Sequence, residues 1–349
     1  MDTNLVNYAL FTIFGAMICI ALLNWNGYDD TAECLESLAA STYDDYFIVL
    51  GDNGSQDGSL DRLQELCCTR GYTVHRTRLG KETFPVPERR CVILYDLLEN
   101  NGFSRANNMM VRYAAHYSPE YFLLLNNDTV LEPDSLSRLV NFQKQRPRYR
   151  IITPLIHYYR DRDKIWNGGG RIRWGLRKYW YKDMPVSRVR EKEFIECSFI
   201  TGCCMMFTPD VLDSDGAIFT ERFFYGEEDF ELALRMKRRK VRMACVTGSV
   251  IYHKVSASVN RHYTKAGPVY IHYLNRLIDV RNYMPGLSYS FFRLYLCASL
   301  AMYLRKAFHY SPGQSMKFLR QLCRDAAGRS SVPKEYCLKI FKEGAPVDI

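Results

Sequence analysis

Apolar positions in the first half of the chain fall into short saturated runs separated by longer, mixed stretches. Residues 17–23, 46–50, 91–95 and 121–125 are almost wholly apolar. Runs this short, with no polar alternation, predict strands buried on both faces. Residues 31–40, 59–69, 103–117 and 133–145 lie between or after them and read as helices, the last with a proline near its start. Residues 72–76 form a further short strand, and the polar, proline-bearing stretch 81–90 reads as an inserted loop. Strand and helix thus alternate, which predicts an α/β fold with a mostly parallel, doubly wound sheet. Ligands of such sheets bind beyond the C-terminal ends of the strands. The polar clusters after Leu23, Leu50, Tyr95 and Leu125 all fall there.

The second half is less regular. Residues 151–156 and 199–208 read as strands, Trp166-Asn-Gly-Gly-Gly170 as a flexible turn, and 241–253 as strands. Residues 227–239 read as a helix whose first turn is acidic and last turn basic, matching the helix dipole. After Pro268 the pattern is helical, broken at Pro285-Gly286.

Length and composition suit one large domain with an appendage. The expected division is an apolar extension over 1–16, a main domain over 17–265 whose two halves meet at about 130, and a basic, aromatic helical region over 266–349. Residues 6–23 carry no charge. If a strand begins near Met17, the apolar residues left before it fall far short of the ~20 a spanning helix needs. Residues 1–16 are then an anchor or a gene-model extension. Net charge is +9, and from Leu287 onward ten Lys/Arg stand against four Asp/Glu. Basic charge among Phe, Tyr and Leu points to an anionic membrane surface or a phosphate-bearing acceptor. No recognised nucleic-acid module is present, so nucleic acid is not expected as a partner. The twelve cysteines include two adjacent pairs and no C-x-x-C repeat. They read as reduced thiols of a cytosolic protein, peripheral on a membrane's cytoplasmic face if it binds one.

Three polar clusters carry candidate chemistry. Asp52-Asn53-Gly54-Ser55-Gln56-Asp57-Gly58-Ser59 follows a buried strand. Its first carboxylate can accept a pyrimidine N3–H, although an Asn-Gly turn with Asp57 capping the next helix has the same pattern. Asn126-Asn127-Asp128 follows another strand, where a single carboxylate is enough for a divalent cation shared with a diphosphate. Gly226-Glu227-Glu228-Asp229-Phe230-Glu231 crowds four carboxylates at a helix start; they are either a solvated first turn or a place where a base is tuned. Walker, dinucleotide-fingerprint, G-x-S-x-G and H-E-x-x-H patterns are absent.

In order, these pieces resemble glycosyltransferase family 2. The Asp52–Ser59 block, Asn101-Gly-Phe-Ser-Arg-Ala-Asn107-Asn108, Asn126-Asn127-Asp128, Thr201-Gly202-Cys-Cys-Met-Met-Phe-Thr-Pro, Glu228-Asp229-Phe-Glu231-Leu-Ala-Leu-Arg235 and His253 each match a family segment. Tyr273-Leu-Asn275-Arg276 is similar to a segment of the rhamnosyltransferase-like branch. The resemblance implies a GT-A fold, a Rossmann-like, mostly parallel sheet flanked by helices, with a C-terminal helical extension. It implies an inverting transfer from a nucleoside-diphosphate sugar to a glycan or lipid-linked acceptor. Asp229 would be the base, with Glu228 and Glu231 orienting or tuning it. Asp128 and His253 would hold Mg²⁺ or Mn²⁺. Asp52 would read the base of the nucleotide, and Asn107 or Asn108 the ribose or sugar. Asn24, Asn53, Asp57, Asn126 and Asn127 would complete the donor site. Trp166 and Gly202 would lie toward the acceptor. The departures are Gly51 ahead of Asp52 and the long 81–90 loop. The donor is first expected to be dTDP-rhamnose, then a UDP-hexose or UDP-N-acetylhexosamine. A nucleotidyltransferase would need a glycine-rich loop where Asn24-Trp25-Asn26-Gly27 stands, and an inactive carbohydrate-binding protein on this fold remains the alternative of another class. Oligomeric state is not legible.

Overall fold

The computed structural model describes residues 17–255 and 266–345, so the 1–16 extension, with Ser256 and Ser258 after His253, lies outside the described residues. The first half alternates as its pattern predicts: β1 (Ile18–Asn24), α1 (Tyr28–Ala39), β2 (Tyr46–Asp52), α2 (Ser59–Thr69), β3 (Thr73–Arg78), β4 (Cys91–Asp96), α3 (Phe103–Ala115), β5 (Tyr121–Asn126), β6 (Thr129–Leu131) and α4 (Ser135–Gln145). Every residue of β2 is buried, as are all but one each of β1, β4 and β5. That double-sided burial is why these strands lack alternation.

The second half adds β7 (Tyr149–Tyr158), β8 (Ile165–Asn167), β9 (Gly170–Arg173), β10 (Leu176–Tyr179), β11 (Phe194–Cys197), β12 (Cys204–Phe207), α5 (Glu228–Arg238) and β13 (Arg242–His253). The main sheet runs β11-β13-β7-β12-β5-β1-β2-β4-β3, with β6 on β13 and β8 on β7. Strands β5, β1, β2, β4 and β3 are mutually parallel, while β12 joins antiparallel between β5 and β7. One apolar layer lies under α1, α2 and α4 and another under α3 and α5.

The 166–170 segment is not a free turn. Trp166 and Asn167 belong to β8, and Gly170 opens β9. Gly169 has φ +79°, and a Cβ there would collide with Cys197 Sγ. Pairing with β7 and this close approach outweigh the local flexibility of three glycines. The expected strand over 199–208 shrinks to β12, and 241–253 is one strand with a register break between Val246 and Val250.

Four helices end the described chain: α6 (Ala266–Tyr283), α7 (Gly286–Phe308), α8 (Pro312–Gly328) and α9 (Lys334–Glu343). They share an apolar cluster with Phe223, Phe230 and Ala233, and α6 among them packs against α5. The backbone joins in: Phe224 N–H donates to the Val332 carbonyl, and Val332 N–H to that of Arg222.

Candidate active site

Sheet register alone aligns the first polar row. Asn24 pairs with Asp52, Asp52 with Asp96, and Leu23 with Asn126, at the C-terminal ends of four adjacent parallel strands. Asn24 and Asp52 are buried. Asn24 Nδ2 donates to Asp52 Oδ1 at 2.8 Å, and the Ser55 hydroxyl donates to the same oxygen at 2.6 Å. Ser55 N–H donates to Asp52 Oδ2 at 2.9 Å. Three donors on one carboxylate fix its direction. Asn24 Oδ1 accepts from the Thr31 hydroxyl, which in turn accepts from Asn127 Nδ2 at 2.9 Å. Thr31 therefore links the Asp52 and Asn126–Asp128 clusters, and neither motif contains it.

Other residues of these motifs bond within the fold. Asn53 Oδ1 accepts from Asn101 N–H at 2.9 Å and ties the first loop to the start of α3. Asp57 Oδ1 accepts from Ser59 N–H and the Ser59 hydroxyl, so it organises the start of α2. Asn107 is buried and donates to the Phe103 carbonyl of its own helix. Asn108 spends both amide atoms on the 218–221 segment: Oδ1 accepts from Ile218 and Phe219 N–H, and Nδ2 donates to the Phe219 carbonyl and Glu221. Asn126 donates its backbone N–H to the Cys203 carbonyl, and its own carbonyl accepts from the Thr129 hydroxyl. Gly202 is buried; a Cβ there would press on the Phe103 ring at 3.2 Å.

Asp128 and His253 meet because β6 pairs antiparallel with the end of β13, with Thr129 opposite His253. His253 Nε2 lies 3.2 Å from Asp128 Oδ2, and both side chains are largely buried. Trp166 packs edge-on against the imidazole, ring centroids 4.3 Å apart. His253 Nδ1 is buried with no hydrogen-bond partner among the described residues. Lys254, the next residue, crosses to α1 and pairs with Asp30 at 2.7 Å and Glu33 at 2.6 Å. Among the described residues no group of three or more His, Cys, Asp or Glu side chains gathers as a metal cage. The Asp128–His253 pair does fit a cation that takes its remaining ligands from a diphosphate and water. Neighbouring ligands of an octahedral ion with bonds of 2.0–2.1 Å stand about 3 Å apart.

The acid cluster divides by environment. Glu227 caps α5 from a left-handed conformation, φ +70°, and is buried. Burial alone would raise its carboxyl, but Arg276 and His272 of α6 outweigh it and hold the group well below the usual carboxylate range. Arg276 Nε donates to one oxygen and His272 Nδ1 lies 3.0 Å from the other. Glu231 is also buried, bound by the Tyr283 hydroxyl and by Arg235 at 3.3 Å. Its side chain thus belongs to the packing between α5 and α6. Asp229 is paired with Arg177 of β10 at 3.1 Å. Burial raises its carboxyl, Arg177 opposes that rise, and Glu227 adds to it. Glu228 is partly buried and makes no ion pair among the described residues; burial and then the Asp229 carboxylate push it up.

Two connections carry this cluster toward the strand ends. On one side Asn53 holds Asn101, and Gly102 lets the chain pass so close to the Phe224 carbonyl that a Cβ would collide with it. On the other, the segment after Trp166 leads through Gly168, whose N–H donates to the Trp180 carbonyl, to β10 and Arg177. Arg177 carried no signal in the sequence, since it stands in a short polar strand. Arg276 did: it ends the Tyr273–Arg276 resemblance, but it binds the acid helix and its partner Asn275 binds the Tyr225 and Gly226 carbonyls.

The profile of glycosyl transferase family 2 matches residues 18–216, and that of glycosyl transferase family group 2 matches residues 121–323. Among solved structures the chain is similar to the mannosyltransferase PcManGT from Pyrobaculum calidifontis in complex with GDP-Man and Mn²⁺, with TM-score 0.53, 12% identity and 94% of each chain covered. It is also similar to GalNAc-T7 with UDP, GalNAc and Mn²⁺, with TM-score 0.53, 15% identity, and coverage of 76% of this chain and 48% of that one. At these identities the likeness is one of fold, the GT-A sheet. An uncharacterized protein of Sinorhizobium fredii (strain NBRC 101917 / NGR234) is 29% identical over 152 residues, which are 44% of this chain and 14% of that relative. The chain thus matches only a small part of that relative's length, and about half of GalNAc-T7. With more than half of its residues under the first profile, in the order in which the site is assembled, the chain belongs to glycosyl transferase family 2.

Proposed function

We propose that the protein transfers a sugar from a nucleoside-diphosphate sugar to an acceptor hydroxyl with inversion at the anomeric carbon. The observation that carries this reading is the meeting of Asp128 with His253 beside the Asn24–Asp52 row. An Asp52 carboxylate of fixed direction suits a pyrimidine N3–H, and the pair suits the diphosphate end of the same ligand. Asp128 and His253 would hold Mg²⁺ or Mn²⁺, which when bound would neutralise charge developing on the departing diphosphate. That both solved neighbours contain Mn²⁺ supports this choice.

Asp229 is the proposed base. It takes the acceptor proton while the acceptor oxygen attacks from the face opposite the diphosphate. Arg177 orients its carboxylate, and the low-polarity surroundings raise its basicity. The acceptor proposed is a glycan or a lipid-linked glycan. The first donor to test is dTDP-rhamnose, the second a UDP-hexose or UDP-N-acetylhexosamine. A panel of nucleotide sugars, followed by thermal shift with Mn²⁺ and by donor hydrolysis, tests the reading. Stabilisation and turnover by one donor support it; a folded chain that binds and hydrolyses none rejects it.

A further inference from the structure

Helix α7 has two faces, and both are apolar. At about 100° per residue, Phe292, Leu296, Leu300 and Leu304 form one stripe and Leu287, Phe291, Leu294, Ala298 and Met302 the opposite one. The first stripe is buried in the cluster shared with α6, α8 and α9. The second points away from the protein: Leu287 is 73% exposed, Phe291 59%, Leu294 70% and Met302 68%. Ordinary solvated helices place charge there. A continuous apolar stripe about 22 Å long, at 1.5 Å rise per residue, marks an interaction site.

The ends of the stripe say what covers it. Arg305 and Lys306 close its C-terminal end and, with Met302, His309 and Tyr310, line a shallow cavity of about 520 Å³. The basic excess of the whole chain is concentrated in this region. Cations rimming an exposed apolar stripe complement anionic headgroups above acyl chains. By length and composition alone α7 is apolar enough to cross a membrane, but its docked stripe runs along the protein's body, so it lies flat. Trp174, at the turn between β9 and β10, extends the patch: it is 42% exposed and its ring meets Tyr295 and Phe292 of α7. Three residues on, Arg177 holds Asp229.

We propose that the outer face of α7, with Trp174, seats on an anionic lipid bilayer and sets the Asp229 end of the site against it. The acceptor class this favours is lipid-linked, a refinement that rests on the glycosyl-transfer reading; the membrane contact itself does not. The test is flotation of the full chain with phosphatidylglycerol-containing or pure phosphatidylcholine vesicles at low and high salt. The chain is expected to float with the anionic vesicles only, and less at high salt. Leu294→Glu with Met302→Glu, at exposed positions, should weaken partition at least roughly tenfold. Arg305→Glu with Lys306→Glu should remove the preference for anionic lipid. As a readout that adds no charge, Leu294→Trp should give blue-shifted fluorescence on anionic vesicles. The proposal is overturned if the chain stays in solution with anionic vesicles, if the paired glutamates leave flotation unchanged, or if the stripe joins two copies in a lipid-free dimer that those glutamates dissociate. Donor hydrolysis in solution, measured on the same variants, reports the transferase reading separately.

Discussion

The guanidinium of Arg276 closes on the carboxylate of Glu227 where α6 passes the start of α5, and both side chains are buried. Removing one partner of a buried pair leaves an uncompensated charge. Arg276→Ala should therefore destabilise the protein by roughly 3–5 kcal/mol, read from denaturant unfolding. Arg276→Met with Glu227→Gln should lose much less. The Glu227 carboxyl is depressed in the fold, so its contribution is complete above the ordinary value of 4.5 and is lost as pH falls below it. The acid limb of a stability–pH profile should be shallower in the double variant.

Asp128 and His253 supply the test of metal use. Excess chelator should abolish transfer, and Mn²⁺ should restore it. Asp128→Ala should stay folded yet lose Mn²⁺-dependent nucleoside-diphosphate affinity, by more than the roughly 10–100-fold that loss of an outer-shell partner costs. Titration calorimetry with and without Mn²⁺ measures this; equal affinity in both would reject the assignment.

The base assignment turns on three carboxylates with different surroundings. Asp229→Asn should lower kcat by ~10²–10⁴-fold with donor affinity little changed. Glu231→Gln should affect stability more than turnover, because its carboxylate is spent on Tyr283 and Arg235. Burial raises the Asp229 carboxyl, so the rate should fall as pH drops through a value above the ordinary carboxylate range. Near-normal turnover in Asp229→Asn, with loss in Glu228→Gln, would move the role to Glu228.

Asn108 offers a contrast. Asn108→Ala would strip the Ile218 and Phe219 amides of their acceptor. The expected cost is about 1–3 kcal/mol for each buried group left unpaired, seen as a lower melting temperature. Donor selectivity should not change.

Sheet and helix order in the first half was legible because strands buried on both faces write themselves as unbroken apolar runs. Asp128 and His253 were legible singly, as a carboxylate after one strand and a histidine ending another. Their meeting was not, since it depends on β6 pairing with β13. The Asn107-Asn108 pair was legible as a motif, but the contact of Asn108 with the 218–221 segment was not, being long-range with no local signature. Arg177 was missed because β9 and β10 are short and half-exposed, held by each other and by Phe292 behind Gly175. Glu227 looked like one of four interchangeable acids until α6 supplied its partners.

The backbone bridge between Phe223 and Val332 has a bearing on how the chain reaches its native state. A ribosome releases residues 17–255 well before residue 332 emerges. The early sheet has what it needs to form, but the segment leading into α5 does not, because its backbone partner Val332 and two counterions of Glu227, His272 and Arg276, arrive later. Long-range closure of this kind comes late and slowly. The growing chain would therefore carry an assembled nucleotide-side sheet and an unfinished acid helix until its last helices dock. A chain shortened within α8 would stall in that state, and the sugar-transfer chemistry would switch on only once Val332 has emerged and paired with the segment ahead of α5.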